Sequence, residues 1–165
     1  MTQIAIREAI PADAAGIAVI HEATVLAERG RGHYSDAQVD AWAQIRAPAE
    51  LRGLMAKRRF FVACAAAGPV AYAQLDLETA TLNSVYVHPD HQRSGLGRDL
   101  VQTAIAAART AGLSRLEFDA ALDSVSFYEA LGFCPLGDLH EHEFRNGECM
   151  TCVRMGRGLD GDSGG

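Results

Sequence analysis

Residues 92–97 read Gln-Arg-Ser-Gly-Leu-Gly and lie between an apolar run ending at Val87 and a helical pattern beginning near Gly97. Glycines at such a place let the backbone approach a ligand closely. The exposed amides of a helix N-terminus, with the helix dipole behind them, suit an anion such as a pyrophosphate. The chemistry implied is phosphate binding, although an ordinary strand-to-helix turn uses the same residues. The run lacks the Gly-Lys-Ser/Thr ending of a Walker loop and the three spaced glycines of a Rossmann fingerprint.

A second set of candidate residues, His140, His142, Cys149 and Cys152, has the types that bind zinc. If Asn146-Gly147 forms a two-residue turn, Phe144 pairs with Cys149 and His142 with Thr151. Cys149 then shares a face with both histidines while Cys152 points to the other. Four tetrahedral ligands do not assemble from that pattern, so no metal is expected. The same opposite-face placement argues against a redox role for Cys149 and Cys152. Cys64, inside the run FFVACAAA, reads as a small buried hydrophobe, and no disulfide is needed.

The elements that would position these residues follow from periodicity. Residues 3–7 alternate like a strand, and Pro11 opens a helix in which Ala14, Ile17, Ala18 and Val25 recur at helical spacing until Gly30 and Gly32. Ser35 and Gln38 form a capping box for a short helix through Trp42, and Pro48 starts another to about Lys57. Three strand-like runs follow, FFVACAA, VAYAQLDLE and TLNSVYV, separated by turn residues. Gly97, Leu100, Val101, Ala104, Ile105 and Ala108 then make one apolar stripe that Gly112 stops. RLEFDA is a fifth strand. Ser124, Phe127, Tyr128 and Leu131 share a helix face ended by Gly132, and two strands surround Asn146-Gly147. On spacing alone Tyr128 is a core aromatic of that face. This order predicts an α+β domain with a mixed sheet, in which a right-handed helical crossover makes the fourth and fifth strands parallel. The domain is expected over residues 1–156. The glycine- and aspartate-rich residues 157–165 are expected to form a flexible tail.

Two stretches carry a resemblance to a known family. VYVHPDHQRSGLGRDLV resembles the acetyl-CoA-binding motif of GNAT N-acetyltransferases, with Gln92, Gly95 and Gly97 at its fixed positions. SFYEALGF resembles the family's closing helix, with Tyr128 as its tyrosine and Gly132-Phe133 as its end. The resemblance implies the GNAT fold: a mostly antiparallel mixed sheet of about seven strands flanked by about four helices, with the parallel fourth and fifth strands splayed apart. It implies that the pantetheine arm of acetyl-CoA adds to the fourth strand along Val85, Tyr86 and Val87. A backbone amide near Val85 or Tyr86 would face the thioester oxygen. Amides from Arg93, Ser94, Gly95, Leu96, Gly97 and Arg98 would hold the pyrophosphate, and Tyr128 would donate a proton to the departing thiolate.

Departures from the family pattern matter. Ala121 and Ser124 stand where many members carry an asparagine and a small apolar residue. Thr81 stands where relatives acting on protein lysines often place an acidic base. The base is left among Asp76, Glu78, Glu117, Asp119, His21, Glu22 and a water relay. The alternation of Tyr72, Gln74, Asp76 and Glu78 also describes a solvated strand face. GHYSDAQVDAWAQ, with His33, Tyr34 and Trp42, resembles the acceptor-side region of a bacterial subgroup. Trp42 is either an acceptor-pocket wall or a plain core residue.

Composition bounds the function. The 165 residues are 48% hydrophobic and 22% charged with a net charge of −6, which fits one packed domain and offers no basic face for nucleic acid. The N-terminus has no signal-peptide pattern and no apolar stretch is long enough for a bilayer, so a cytoplasmic, bacterial-type enzyme is expected. The expected activity is transfer of the acetyl group of acetyl-CoA to the primary amine of a small molecule. The alternatives are acetylation of a protein N-terminus or lysine, or a coenzyme A-binding sensor without turnover. Exposed edges at the C-terminal hairpin suit a homodimer.

Overall fold

The computed structural model describes residues 3–44 and 47–161. Its strands are β1 (Ala5–Glu8), β2 (Arg59–Ala65), β3 (Gly68–Asp76), β4 (Thr81–Val87), β5 (Arg115–Ala121), β6 (Cys134–Glu143) and β7 (Cys149–Gly158), and its α-helices are α1 (Ala14–Leu26), α2 (Asp36–Ala43), α3 (Pro48–Met55), α4 (Leu96–Thr110) and α5 (Val125–Glu129). One seven-stranded sheet has the order β1-β2-β3-β4-β5-β7-β6. All neighbours are antiparallel except β4 and β5. This is the mixed sheet expected, with the parallel pair where the crossover through α4 requires it.

The sheet is covered on both faces. Leu100, Val101, Ala104, Ile105 and Ala108 of α4 pack with Phe61, Ala73, Leu116 and Phe118 on one side. Ile17, Ala18 and Ile20 of α1 and Leu51 of α3 pack with Phe60, Val62 and Tyr72 on the other. The second layer corrects one reading. Tyr72, Gln74 and Asp76 do not form a solvated face, because α1 lies over β3 and leaves them 4%, 7% and 7% exposed.

Local signals act as expected at α2. Ser35 Oγ accepts from the Gln38 amide at 3.1 Å, and Gln38 Oε1 accepts from the Ser35 amide at 2.9 Å. At the C-terminal hairpin the register differs from a two-residue turn. Residues 144–148 form the turn, closed by bonds from the Phe144 amide to the Glu148 carbonyl and from the Gly147 amide to the Phe144 carbonyl. The pairs are therefore Glu143 with Cys149, His142 with Met150 and His140 with Cys152. A one-residue shift exchanges faces, so Cys152, not Cys149, shares the histidines' side. Among the described residues no group of three or more His, Cys, Asp or Glu is placed to hold a metal ion. Cys64 is half-buried, at the irregularity of β2.

The expected tail begins too early. β7 continues through Arg157 and Gly158, and Leu159 is 3% exposed in the core with its amide on the Ser114 carbonyl at 2.8 Å. A leucine at that position anchors a segment that its glycine content alone would leave loose. Residues 162–165 of the tail lie outside the described residues. Among the described residues no helix is long and apolar enough to cross a membrane.

Candidate active site

The site lies where β4 and β5 part. Among the described residues they meet in register at Thr81 and Glu117 alone, where the Glu117 amide donates to the Ala80 carbonyl at 3.1 Å. Beyond that pair β4 carries an extra residue: Ser84 lies opposite Gln74 and Leu82 opposite Leu75, which leaves Asn83 as a bulge. A bulge adds local twist and turns the following strand away from its neighbour, opening a wedge beside Ser84–Val87.

The wedge holds two cavities that meet. The first, about 540 Å³, is lined by Val85, Tyr86, Val87, Gln92, Arg93, Ser94, Gly95, Leu96, Gly97, Arg98 and Tyr128. Every residue that the sequence marked for cofactor binding or acid catalysis thus borders one groove. Gly95 caps α4 in the left-handed region at φ 84°, a conformation glycine adopts without strain. A Cβ on Gly97 would lie 3.2 Å from Phe127 Cζ and 3.7 Å from Val87 Cγ2, so a larger residue there would fill the groove floor. Gln92 Nε2 donates to the Val87 carbonyl at 3.1 Å and ties the loop to the strand end. Amides at the start of a 15-residue helix behind a glycine loop fit a pyrophosphate, and the open β4 edge fits an extended arm with amide groups. The residues present therefore fit acetyl-CoA.

The second cavity, about 570 Å³, lies between α1, α2, β4, β5 and the C-terminal hairpin, and Trp42, Val85, Tyr86, Ser124 and Tyr128 border both cavities. The indole N–H of Trp42 donates to the Tyr86 hydroxyl at 3.0 Å. Burial pushes the Tyr86 phenol up to about 12, against the opposing effect of the Trp42 bond. Tyr128 is 9% exposed and packs 4.3 Å from Phe118 and 4.9 Å from Phe127 between ring centroids. Burial, and then the neighbouring Tyr86, push its pKa well up, so Tyr128 holds its proton at neutral pH and can donate it.

The proposed bases separate clearly. Asp76 accepts from the Glu78 and Thr79 amides and pairs with Arg58 at 3.0 Å, an arrangement that caps the β3–β4 turn. Glu78 and Glu22 are exposed, and Glu117 is held by Arg115 and Arg154. Asp119 and His21 border the acceptor-side cavity. For Asp119 burial acts upward, but Arg154 at 3.1 Å and His140 at 3.0 Å outweigh it and hold the carboxyl below the usual range.

One cluster went unread in the sequence. Glu28, Asp123 and Arg31 border the groove, with Arg31 on Glu28 at 3.0 Å and Tyr34 Oη donating to Asp123 at 3.1 Å. Burial, then the Asp123 charge, raise the Glu28 pKa. Glu28 lies in the turn just past the end of α1, outside the helical pattern that placed His21. Nothing local marked Asp123.

Residues 31–152 match the acetyltransferase (GNAT) domain family. The chain belongs to the GNAT acetyltransferase family. It is 36% identical over 66 residues to the [ribosomal protein bS18]-alanine N-acetyltransferase of Escherichia coli K12, covering 38% of this chain and 45% of that protein. It is 44% identical over 57 residues to the aminoglycoside N(6')-acetyltransferase type 1 of Acinetobacter genomosp. 13, covering 33% and 39%. The chain thus spans less than half the length of these relatives. A GCN5-related N-acetyltransferase from Rhodopseudomonas palustris superposes with a TM-score of 0.85 at 25% identity, over 96% of this chain and 97% of that one. Seven strands with a parallel, splayed β4–β5 pair are the GNAT fold that the sequence motifs implied.

Proposed function

We propose that this GNAT protein transfers the acetyl group of acetyl-CoA to the primary amine of a small molecule by direct attack in a ternary complex. The observation that carries this reading is the junction of two cavities at Tyr86 and Tyr128, one fit for the acyl donor and one for an acceptor. Acetyl-CoA supplies an activated thioester. The chain's own part is to hold and orient. Amides of residues 93–98 bind the pyrophosphate, and the β4 backbone from Val85 to Val87 pairs with the pantetheine arm. An amide at Val85 or Tyr86 stabilises the charge that develops on the carbonyl oxygen, and Tyr128 keeps a proton on its Oη for the leaving sulfur.

The acceptor-side cavity favours a small molecule over a protein. The hairpin residues Glu143, Phe144 and Arg145 wall it, and Arg145 reaches Glu50 of α3 at 3.9 Å, so the hairpin narrows the opening that a peptide would need. Similarity to an aminoglycoside acetyltransferase supports this class, while similarity to a ribosomal-protein acetyltransferase keeps a protein N-terminus as the second reading. The exposed edge strand β6, with Leu139 60% exposed, suits a homodimer, and a cytoplasmic enzyme is in keeping with the chemistry. Incubation with acetyl-CoA and a panel of amines, following thiol release, tests the function. Amine-dependent release supports it, and saturable acetyl-CoA binding without release points to a sensor.

A further inference from the structure

His21 projects from α1 into the acceptor-side cavity, and its two ring nitrogens have different partners. Nε2 lies 2.8 Å from the carbonyl oxygen of Trp42, which can only accept, so Nε2 carries the proton. In the neutral ring Nδ1 is then the bare nitrogen, and it accepts from the Tyr72 hydroxyl at 3.3 Å. Such bonds are often long before substrate arrives. A neutral imidazole with its lone pair against a phenol O–H is an arrangement that can take up a proton from whatever the phenol touches.

The position is right for that task. Tyr72 lies directly opposite Tyr86 in the β3–β4 register, with ring centroids 5.5 Å apart, and the His21 ring packs edge-on to Tyr86 at 5.1 Å. Tyr86 borders both cavities, so Tyr72 stands one strand spacing, about 4.8 Å, from the junction where transfer would occur, and His21 reaches it from α1 through its contact with the Tyr86 ring. Both border the acceptor side and neither borders the cofactor groove. Helix α2 ties the assembly together, because Trp42 holds His21 with its carbonyl and Tyr86 with its indole N–H. Of the other acid–base groups that line this cavity, Asp119 is committed to Arg154 and His140, and His142 and Glu143 lie exposed on β6.

We propose that Tyr72 and His21 form the proton relay that makes the acceptor nucleophilic, an inference that rests on the acetyltransferase reading above. The acceptor's ammonium gives one proton to Tyr72 Oη as the Tyr72 proton passes to His21 Nδ1. The N–H bond of the ammonium breaks and its electron pair stays on nitrogen as the attacking lone pair. Tyr72 is neutral before and after, and His21 becomes an imidazolium whose Nε2–H still rests on the Trp42 carbonyl. Solvent in the cavity then takes the proton. Tyr72 touches the acceptor, and His21 acts through it.

The test uses wild type, Tyr72→Phe and His21→Gln in single-turnover acetylation at saturating acetyl-CoA, on the fastest wild-type acceptor from a panel of aliphatic primary amines. His21→Gln keeps an N–H for the Trp42 carbonyl and an oxygen for the Tyr72 hydroxyl but cannot take a proton. It therefore separates proton uptake from architecture. Both variants are expected to lose about a hundredfold in rate, the low end for a positioned base, with acetyl-CoA affinity unchanged by calorimetry. A His21→Gln protein as fast as wild type overturns the relay, since geometry alone would then suffice. A loss that appears as weakened acetyl-CoA binding overturns it as well. A wild-type protein that acetylates no amine in the panel removes the acetyltransferase reading and the relay with it, whereas active wild type with both variants unimpaired removes the relay alone.

Discussion

Thr81 and Glu117 stand opposite each other as the point where β4 and β5 meet in register, and beyond them the two strands diverge. Among the described residues, the divergence leaves backbone groups of Ser84–Val87 with no strand partner on the β5 side, a gap that an extended ligand can fill. Ligand binding to the folded state alone stabilises it by mass action. Coenzyme A at about a hundred times its Kd is expected to add roughly 2.7 kcal/mol, and a nucleotide lacking the pantetheine arm to add less. Thermal denaturation with each compound measures this, and equal shifts for both would show that β4 takes no part.

The glycines of the loop set a second expectation. Gly95 sits at φ 84° and the Gly97 Cα faces Phe127 and Val87 across the groove floor. A branched residue at Gly95 is strained by about 1–2 kcal/mol, and one at Gly97 occupies ligand space. Gly95→Val and Gly97→Val are expected to abolish acetyl-CoA binding, whereas Gln92→Ala, which loses one bond to the Val87 carbonyl, only weakens it. Calorimetric titration of the three variants decides the matter, and undiminished affinity in Gly97→Val would remove this loop from the site.

Much of this geometry was legible in the residues, and the exceptions share a cause. The α4 stripe and the glycine loop were plain because each follows a local rule, period 3.6 and close backbone approach. The hairpin register was not, since Asn146-Gly147 fits either a two-residue turn or the five-residue turn closed by Phe144 and Glu148, and only packing chooses. Tyr72, Gln74 and Asp76 looked solvated because alternation records polarity and not which helix lies above. The Tyr34–Asp123 contact joins residues 89 positions apart, beyond any local pattern.

Tyr128 is proposed to act as the acid, and its hydroxyl can be removed without disturbing its ring contacts with Phe118, Phe127 and Phe133. Tyr128→Phe is expected to lower kcat by about ten- to a few hundredfold, toward the low end of positioned acid catalysis because the thiolate is a fair leaving group. Acetyl-CoA affinity is expected to hold. Single-turnover rates on an acceptor for which chemistry is limiting provide the check, and rates equal to wild type would leave Tyr128 as packing only.

Glu28 ties stability to pH. Its pKa is raised in the folded protein by burial and then by Asp123, so its contribution is fully present below the ordinary carboxylate value of about 4.3 and is lost as pH climbs through the raised value. Glu28→Gln removes that loss. The Tm of Glu28→Gln is expected to match wild type near pH 4, to exceed it as pH rises through the raised Glu28 value, and then to hold a constant lead. A Tm difference that is flat with pH would show that Glu28 ionises normally.

The assignment of the β4–β5 wedge to acetyl-CoA can be checked in a crystal structure with coenzyme A bound. That structure is expected to show pantetheine amides on the backbone of Val85 to Val87, the pyrophosphate on the amides of residues 93–98, and the sulfur beside Tyr128 Oη. Coenzyme A bound elsewhere, or a pantetheine arm that leaves the β4 edge unpaired, would contradict the assignment.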